Sequence, residues 1–350
     1  MSNRKNMNWD KKRNRYSYEM RRGKSAFRAL LPALIFGAGL CAMPGNARAQ
    51  IFETNAGNLT IGEYTTSGAP VGTGTLVSDL PDYPFGIAVS GADIFVVEGD
   101  SNFDTGFIQE YTTSGSIVSG SLISRLNQPA GIAVSGSYIF VTSYNSNDTS
   151  GMIGEYTTSG STVNASLVTG LNNPALLAVS GSNIFVANYG NGTIGEYTTS
   201  GSTVNALLIS GLHGPEGIAV SGSDIFVTNK ANNTIGEYTT SGGTVNASLV
   251  SNSTPGATLD YPTGIAVSGS DIFVANADDG AWIGEYTTSG SAVNYKLVPG
   301  LDFPEGIAVA TPGIPEPSTC ALAAISAGLL LVRRRRRRNP RCRLHRSRGS

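Results

Sequence analysis

The chain has two histidines, His213 and His345, and only His213 lies away from the basic end of the sequence. It sits in the segment GLHGPEG beside Glu216, and a single histidine in a polar turn is by default a solvated side chain. Carboxylates are more plentiful: Asp100 and Asp104 share one turn, Asp148 lies in a second, and Asp278 and Asp279 in a third. Clustered hard oxygen ligands suit Ca²⁺, which makes calcium the one candidate cofactor, but no EF-hand spacing defines a metal site. Glu216 and Glu305 each follow a proline, where equivalent positions carry Phe85, Ala130, Ala175 and Thr263. Tyr144 and Tyr189 stand on similar turns and offer ring faces on which sugars can stack. Six further glutamates, Glu63, Glu110, Glu155, Glu196, Glu237 and Glu285, recur in one local context, and a part repeated in every unit reads as construction rather than as a site. The three cysteines, Cys41, Cys320 and Cys342, all lie near the ends, so residues 50–310 have no disulfide, no thiolate metal site and no cysteine nucleophile.

The elements that must position these groups are repeats. The tyrosine of EYTTSG falls at Tyr64, Tyr111, Tyr156, Tyr197, Tyr238 and Tyr286, at spacings of 47, 45, 41, 41 and 48 residues. The unit at 217–250 reads as four short apolar or β-branched runs: A (GIAV), B (IFVTN), C (TIGEYT) and D (ASLV). Each is of strand length and too short for a helix. Gly, Ser, Asn and Asp turns separate them. Runs A and B are apolar on both faces, which demands cover on both sides; a stack of sheets provides it. The first run after residue 49 is a B (51–55), and the last is an isolated A (306–310). An open stack would leave both ends unpaired, whereas a ring uses the last A to complete the sheet begun by the first B. The expectation is an all-β, six-bladed β-propeller of four-stranded antiparallel blades, closed by its C-terminal strand, with helical apolar segments at both termini.

The pattern P-x-G-I-A-V-x-G-x-x-I-F-V-x-N followed by N-x-T-I-x-E-Y resembles the NHL repeat of six-bladed propellers, over roughly residues 51–310. It departs from that repeat in carrying Asn where many NHL units carry Asp after strand B, and Leu176 where the glycine of P-x-G belongs. The WD pair of another propeller type is absent, and the only tryptophans are Trp9 and Trp282. Some NHL-like propellers are lyases or lactonases that use His, Glu, Asp or Asn around the channel mouth. The resemblance implies that alternative for His213 and its neighbours.

Charge separates the ends from the body. Residues 1–49 carry 11 Lys/Arg and 2 acids, residues 333–350 carry 10 Arg and no acid, and residues 50–332 carry 3 basic and 23 acidic side chains. So acidic a body repels nucleic acid, which is excluded as a partner, and attracts cations. Residues 1–49 read as an export signal: a basic region, an apolar stretch at 29–43, and Ala47-Arg48-Ala49 before cleavage between Ala49 and Gln50. Residues 311–350 carry Pro315, Glu316 and Pro317, an apolar run at 320–332 and six consecutive arginines. That order closely resembles the PEP-CTERM sorting tail of Gram-negative bacteria. The resemblance implies a transient C-terminal membrane anchor, an exosortase-type processing enzyme as partner, and delivery to the cell surface, outer membrane or extracellular matrix. The 13-residue apolar run is short for a stable span, and the arginines fit the cytoplasmic side.

Between the end of B and the Ile of C lie five residues in three repeats, six after Asn276, and nine after Glu98 and Ser143. The D–A connections are short except at 251–261, while A–B and C–D connections hardly vary. In a ring of up-and-down sheets, B–C and D–A turns share one face, so the irregularity, and with it His213, Glu216, Glu305, Tyr144, Tyr189 and the non-repeated aspartates, gathers there. The reading is a non-catalytic exported propeller that binds a glycan, protein or cation through this variable face. The alternatives are a metal-assisted lyase or lactonase at the channel mouth and a structural exopolysaccharide-matrix protein.

Overall fold

The computed structural model describes residues 49–100, 104–145, 150–278 and 280–310. The expected leader, the sorting tail with Pro315, Glu316 and Pro317, both helical apolar segments, Asp148 and Asp279 lie outside these residues. Among the described residues the chain forms 24 strands in six four-stranded antiparallel sheets. A regular blade is the fifth: Pro215–Ser221, Asp224–Asn229, Thr234–Thr239 and Thr244–Ser251, the runs A to D in order. The first blade takes strands B, C and D from Gln50–Asn55, Thr60–Thr65 and Pro70–Val77, and its strand A from Pro304–Ala310. Gln50 pairs with Ala310, Phe52 with Ala308 and Glu53 with Ile307, so the ring closes as the terminal runs require. Each strand A touches the strands A of both neighbouring blades, which places A innermost and D outermost.

The apolar faces of strand B explain why blades must stack. The B-strand Phe of every blade, at most 1 % exposed, packs on the B-strand Ile of the next. Phe95 lies with Ile139, Val141 and Tyr156, and Phe226 with Ile272, Val274 and Tyr286. The closing interface repeats the pattern with Phe273 on Ile51. Each such ring buried from water is worth roughly 2–3 kcal/mol, and no blade supplies both halves of a core alone. Close approach of the inner strands sets the glycine of P-x-G: a Cβ on Gly217 would lie 2.2 Å from Thr263 O of the next blade. In blade 4, Leu176 holds that place and packs into the core between blades 4 and 5.

The two faces differ as the turn lengths imply. On one, the C–D turns of blades 2 to 6 donate to their A–B turns, as in Thr240 N–H to Ser223 O (2.8 Å) and Thr199 N–H to Ser182 O (2.8 Å). On the other, each B–C connection docks on a D–A connection, as in Lys230 N–H to Gly214 O (3.0 Å) and Ala277 N–H to Tyr261 O (3.1 Å). One expectation changes in form. The nine-residue B–C connections of blades 2 and 3 each give four residues to the strands, which lengthens the ladders of Thr105–Thr112 with Ile117–Asn127 and of Ser150–Thr157 with Thr162–Asn172. Alternation in TGFI and SGMI lets strand C begin earlier, pairing Thr105 with Asn127 and Ser150 with Asn172. Two extra residues at about 3.3 Å each raise these hairpins by roughly 7 Å.

Candidate functional site on the variable face

The last residue of strand B fixes the variable face. Asn55, Asn188, Asn229 and Asn276 each accept, through Oδ1, a backbone N–H of the adjoining D–A turn, at 3.2, 3.3, 3.3 and 3.0 Å from Asp302, Asn172, His213 and Asp260. Asn in place of Asp is thus a clamp on the turn. Blade 2 carries Glu98 there; its Oε2 accepts Asp82 N–H at 3.3 Å, while its Oε1 is buried without a partner. Burial foremost, with the Asp82 charge adding to it, pushes the Glu98 carboxyl up to about 8, although the Asp82 N–H opposes the shift.

On this frame the sequence candidates divide. His213 is exposed on its turn, and its backbone N–H is taken by Asn229. Glu216 lies 3.4 Å from Lys230 Nζ, with both side chains largely covered, so its carboxylate is held in an ion pair. Tyr189 sits against this pair. Burial raises its phenol, the Lys230 ammonium lowers it, and Glu216 and Tyr261 raise it. A Cβ on Gly214 would lie 3.1 Å from Tyr189 Cε2, so the ring of blade 4 leans over the rim of blade 5. Tyr189, the Glu216–Lys230 pair and Tyr261 therefore form one patch across blades 4, 5 and 6. Tyr144 occupies the position of Tyr189 one blade earlier, and Glu305, 9 % exposed, that of Glu216 in blade 1.

The aspartates do not converge. Asp100 accepts from Asp104 N–H (3.0 Å) through one oxygen and from the Thr105 hydroxyl (3.1 Å) through the other, so it closes its own turn. Asp278 stands on blade 6, with blade 1 between it and Asp100. Among the described residues no group of three or more His, Cys, Asp or Glu side chains is placed to hold a metal ion. The six strand-C glutamates are spread one per blade, each opposite the B-strand Phe, as Glu196 is opposite Phe185.

Sequence reasoning passed over Lys230, Tyr261 and Glu98. A signal existed for Lys230, since it is one of three basic side chains in residues 50–310 and falls where other blades have Ala56, Gly99 or Ala277. Tyr261 and Glu98 stood out only as departures from the repeat.

No protein-family profile matches the chain, and neither does any curated protein. Among solved structures, 570 chains match, which marks a fold too widespread to carry a function. A chain from a nidogen/laminin complex is 15 % identical, with a TM-score of 0.56 over 75 % of this chain and 99 % of that one. The computationally designed Ika8 protein is 14 % identical, with a TM-score of 0.43 over 73 % of each chain. The first likeness supports the propeller fold and nothing finer.

Proposed function

We propose that this chain is an exported, non-catalytic propeller of NHL-like repeats, held at the surface or in the extracellular matrix of a Gram-negative bacterium, where its variable face binds a glycan, protein or cation. The observation that carries the reading is the division of labour between the two faces. The A–B/C–D face repeats one turn chemistry around the ring, whereas the opposite face collects the tall hairpins of blades 2 and 3, the Glu216–Lys230 pair and the half-buried tyrosines. Variation on one face of a rigid ring is where selection for binding acts.

The chain ends support the same assignment. Gln50 and Ala310 are ladder partners at the regular face, so the propeller is complete between the leader and tail that the sequence delimits. A PEP-CTERM tail held transiently in a membrane and cut by an exosortase-type enzyme is the anchor this reading assigns to residues 311–350. The nidogen/laminin chain indicates that a like fold occurs in an assembly of proteins, which fits a docking role. Mass spectrometry of the exported protein tests the reading: the product should begin at Gln50 and lack 333–350. An extracellular product that retains 1–49 or 333–350 would refute it.

A further inference from the structure

We infer that the inner rim of the variable face is a ring of aromatic platforms for an uncharged polysaccharide. The inference rests on the binding role proposed above and names the ligand class. Three positions per blade meet at this rim: the residue before the strand-A proline, the residue after it, and the residue that follows B-strand position five. The chain joins them by one repeated contact. The carbonyl before the proline accepts the N–H of the third position in five blades, as in Ala56 to Phe303 O (3.0 Å), Tyr144 to Gln128 O (3.3 Å) and Tyr189 to Asn173 O (3.1 Å). In blade 2 the equivalent residues, Tyr83 and Gly99, are ladder partners. Of these 18 positions six are aromatic: Tyr83, Phe85, Tyr144, Tyr189, Tyr261 and Phe303. Aromatic residues make up 8 % of the chain, so a third of the rim is well above chance. Phe85 packs against the core between blades 2 and 3, the other five lie outside the core clusters, and all six are half-buried.

Two of them are held at a conformational cost. Tyr261 and Phe303 have φ of 51° and 53°, a left-handed backbone, where blade 5 uses Gly214 at 64°. Bulky side chains in that region are strained, and strain of this kind concentrates at binding sites. Gln128 and Asn173 hold the same position at 41° and 45°, so the left-handed backbone is a feature of this rim in four blades that keep a side chain there.

Charge and chemistry decide the occupant. Residues 50–310 carry 22 acidic and 3 basic side chains, which disfavours uronic-acid and sulfated polymers as well as nucleic acid. Sugar rings present C–H faces to aromatic planes and hydroxyls at their edges. Between the platforms stand half-buried groups that take hydroxyls, Asn173 and the Glu216–Lys230 pair. Half-buried rings flanked by amides and carboxylates match that alternation, whereas a protein hot spot wants a dry apolar centre.

The test is affinity electrophoresis of the exported protein, free of residues 1–49 and 333–350, through gels containing dextran, laminarin, galactomannan or alginate. At least one neutral polymer should retard it and alginate should not. Tyr189→Ala and Tyr144→Ala should each weaken that interaction by about ten-fold or more, the loss typical of a buried aromatic anchor. Tyr189→Phe, which keeps the ring, should bind as the wild type does. Tyr138→Ala, on the regular face, should change nothing. Emission of Trp282, 3 % exposed in blade 6, reports whether each variant folds, and Tyr144→Ala serves if Tyr189→Ala does not. Wild-type binding by folded alanine variants, or preference for alginate, would overturn the inference. So would a protein retained in native matrix but by none of the neutral polymers, which leaves the displayed-binder reading standing. Loss of matrix retention as well would sink both.

Discussion

Glu53 stands where the other five blades carry Val96, Val141, Val186, Val227 and Val274. It is fully buried, its Oε1 accepts Asn55 Nδ2 at 2.6 Å, and its Oε2 has no partner. Burial pushes its carboxyl from 4.5 up to about 8, against a smaller opposing effect of the Asn55 hydrogen bond. A folded-state value above the unfolded one means that the native protein holds the extra proton between about pH 4.5 and 8. Stability from this group is therefore complete below pH 4.5, falls as pH rises through that window, and is gone above about 8. At about 1.4 kcal/mol per pH unit the loss is on the order of 5 kcal/mol, a large part of the stability of any domain. Few other groups titrate there, since residues 50–310 contain one histidine and no cysteine.

Glu53→Val restores the residue of the other blades. At pH 5, where Glu53 is neutral, the gain is that of removing one unsatisfied buried oxygen and adding apolar packing, about 1–3 kcal/mol. At pH 9 it rises by the ionisation cost, to roughly 5 kcal/mol or more. For a ring of this size the pH 9 gain should raise Tm by about 10 °C or more. Guanidinium and thermal unfolding, followed by circular dichroism and Trp282 emission between pH 5 and 9, give both quantities. A variant less stable than wild type at pH 9, or one with an undiminished pH slope, would refute the account of Glu53 as a proton-holding defect in the blade core.

Glu98→Gln keeps the acceptor for Asp82 N–H but cannot ionise, so it should remove much of the slope that Glu53→Val leaves, as the same pH series would show. Gly217→Ala forces a Cβ to within 2.2 Å of Thr263 O and should cost about 1–3 kcal/mol in chemical denaturation. Thr142→Ala leaves Gly131 N–H and Ala175 O, buried at 2.7 and 2.6 Å from its hydroxyl, without that partner, and should lower stability by about 1–3 kcal/mol.

The fold was legible because its evidence is periodic. Five copies of IFV with one IFE, and six of EYTTSG, give strand lengths, turn chemistry and blade count, and the phase of the end runs requires the pairing seen between Gln50 and Ala310. The site was legible only as a face. Tyr144, Tyr189, Glu216 and Glu305 could be placed on it from turn lengths, but Lys230 reaches Glu216 across 14 positions, a contact set by the docking of two turns. Departures from the repeat were the signal for the rest. Glu53 and Glu98 look like any acid in composition and become unusual only when aligned with Val and Asn of the sister blades.

The same alignment locates where the ring is weakest. In blades 1, 3 and 5, position four of strand B is a threonine that bridges to the next blade: Thr54 to Phe85 O (2.6 Å), Thr142 to Ala175 O (2.6 Å) and Thr228 to Thr263 O (2.7 Å). Blades 2, 4 and 6 carry Val97, Ala187 and Ala275 there. Blade 6 is bridged otherwise, since Thr263 donates to Pro304 O of the closing strand at 2.8 Å. Interfaces 2–3 and 4–5 have no such threonine bridge, and 4–5 also carries Leu176 in place of the inner glycine. The chain's own closure, with a full ladder and the Thr263 bond, is then not the weak joint. Hydrogen exchange at pH 6, where Glu53 holds its proton, should show 50–55 and 304–310 protected at least as long as 174–188. Earlier exchange at the closing strands would show that covalent discontinuity, rather than the missing threonine bridges, decides where this ring opens.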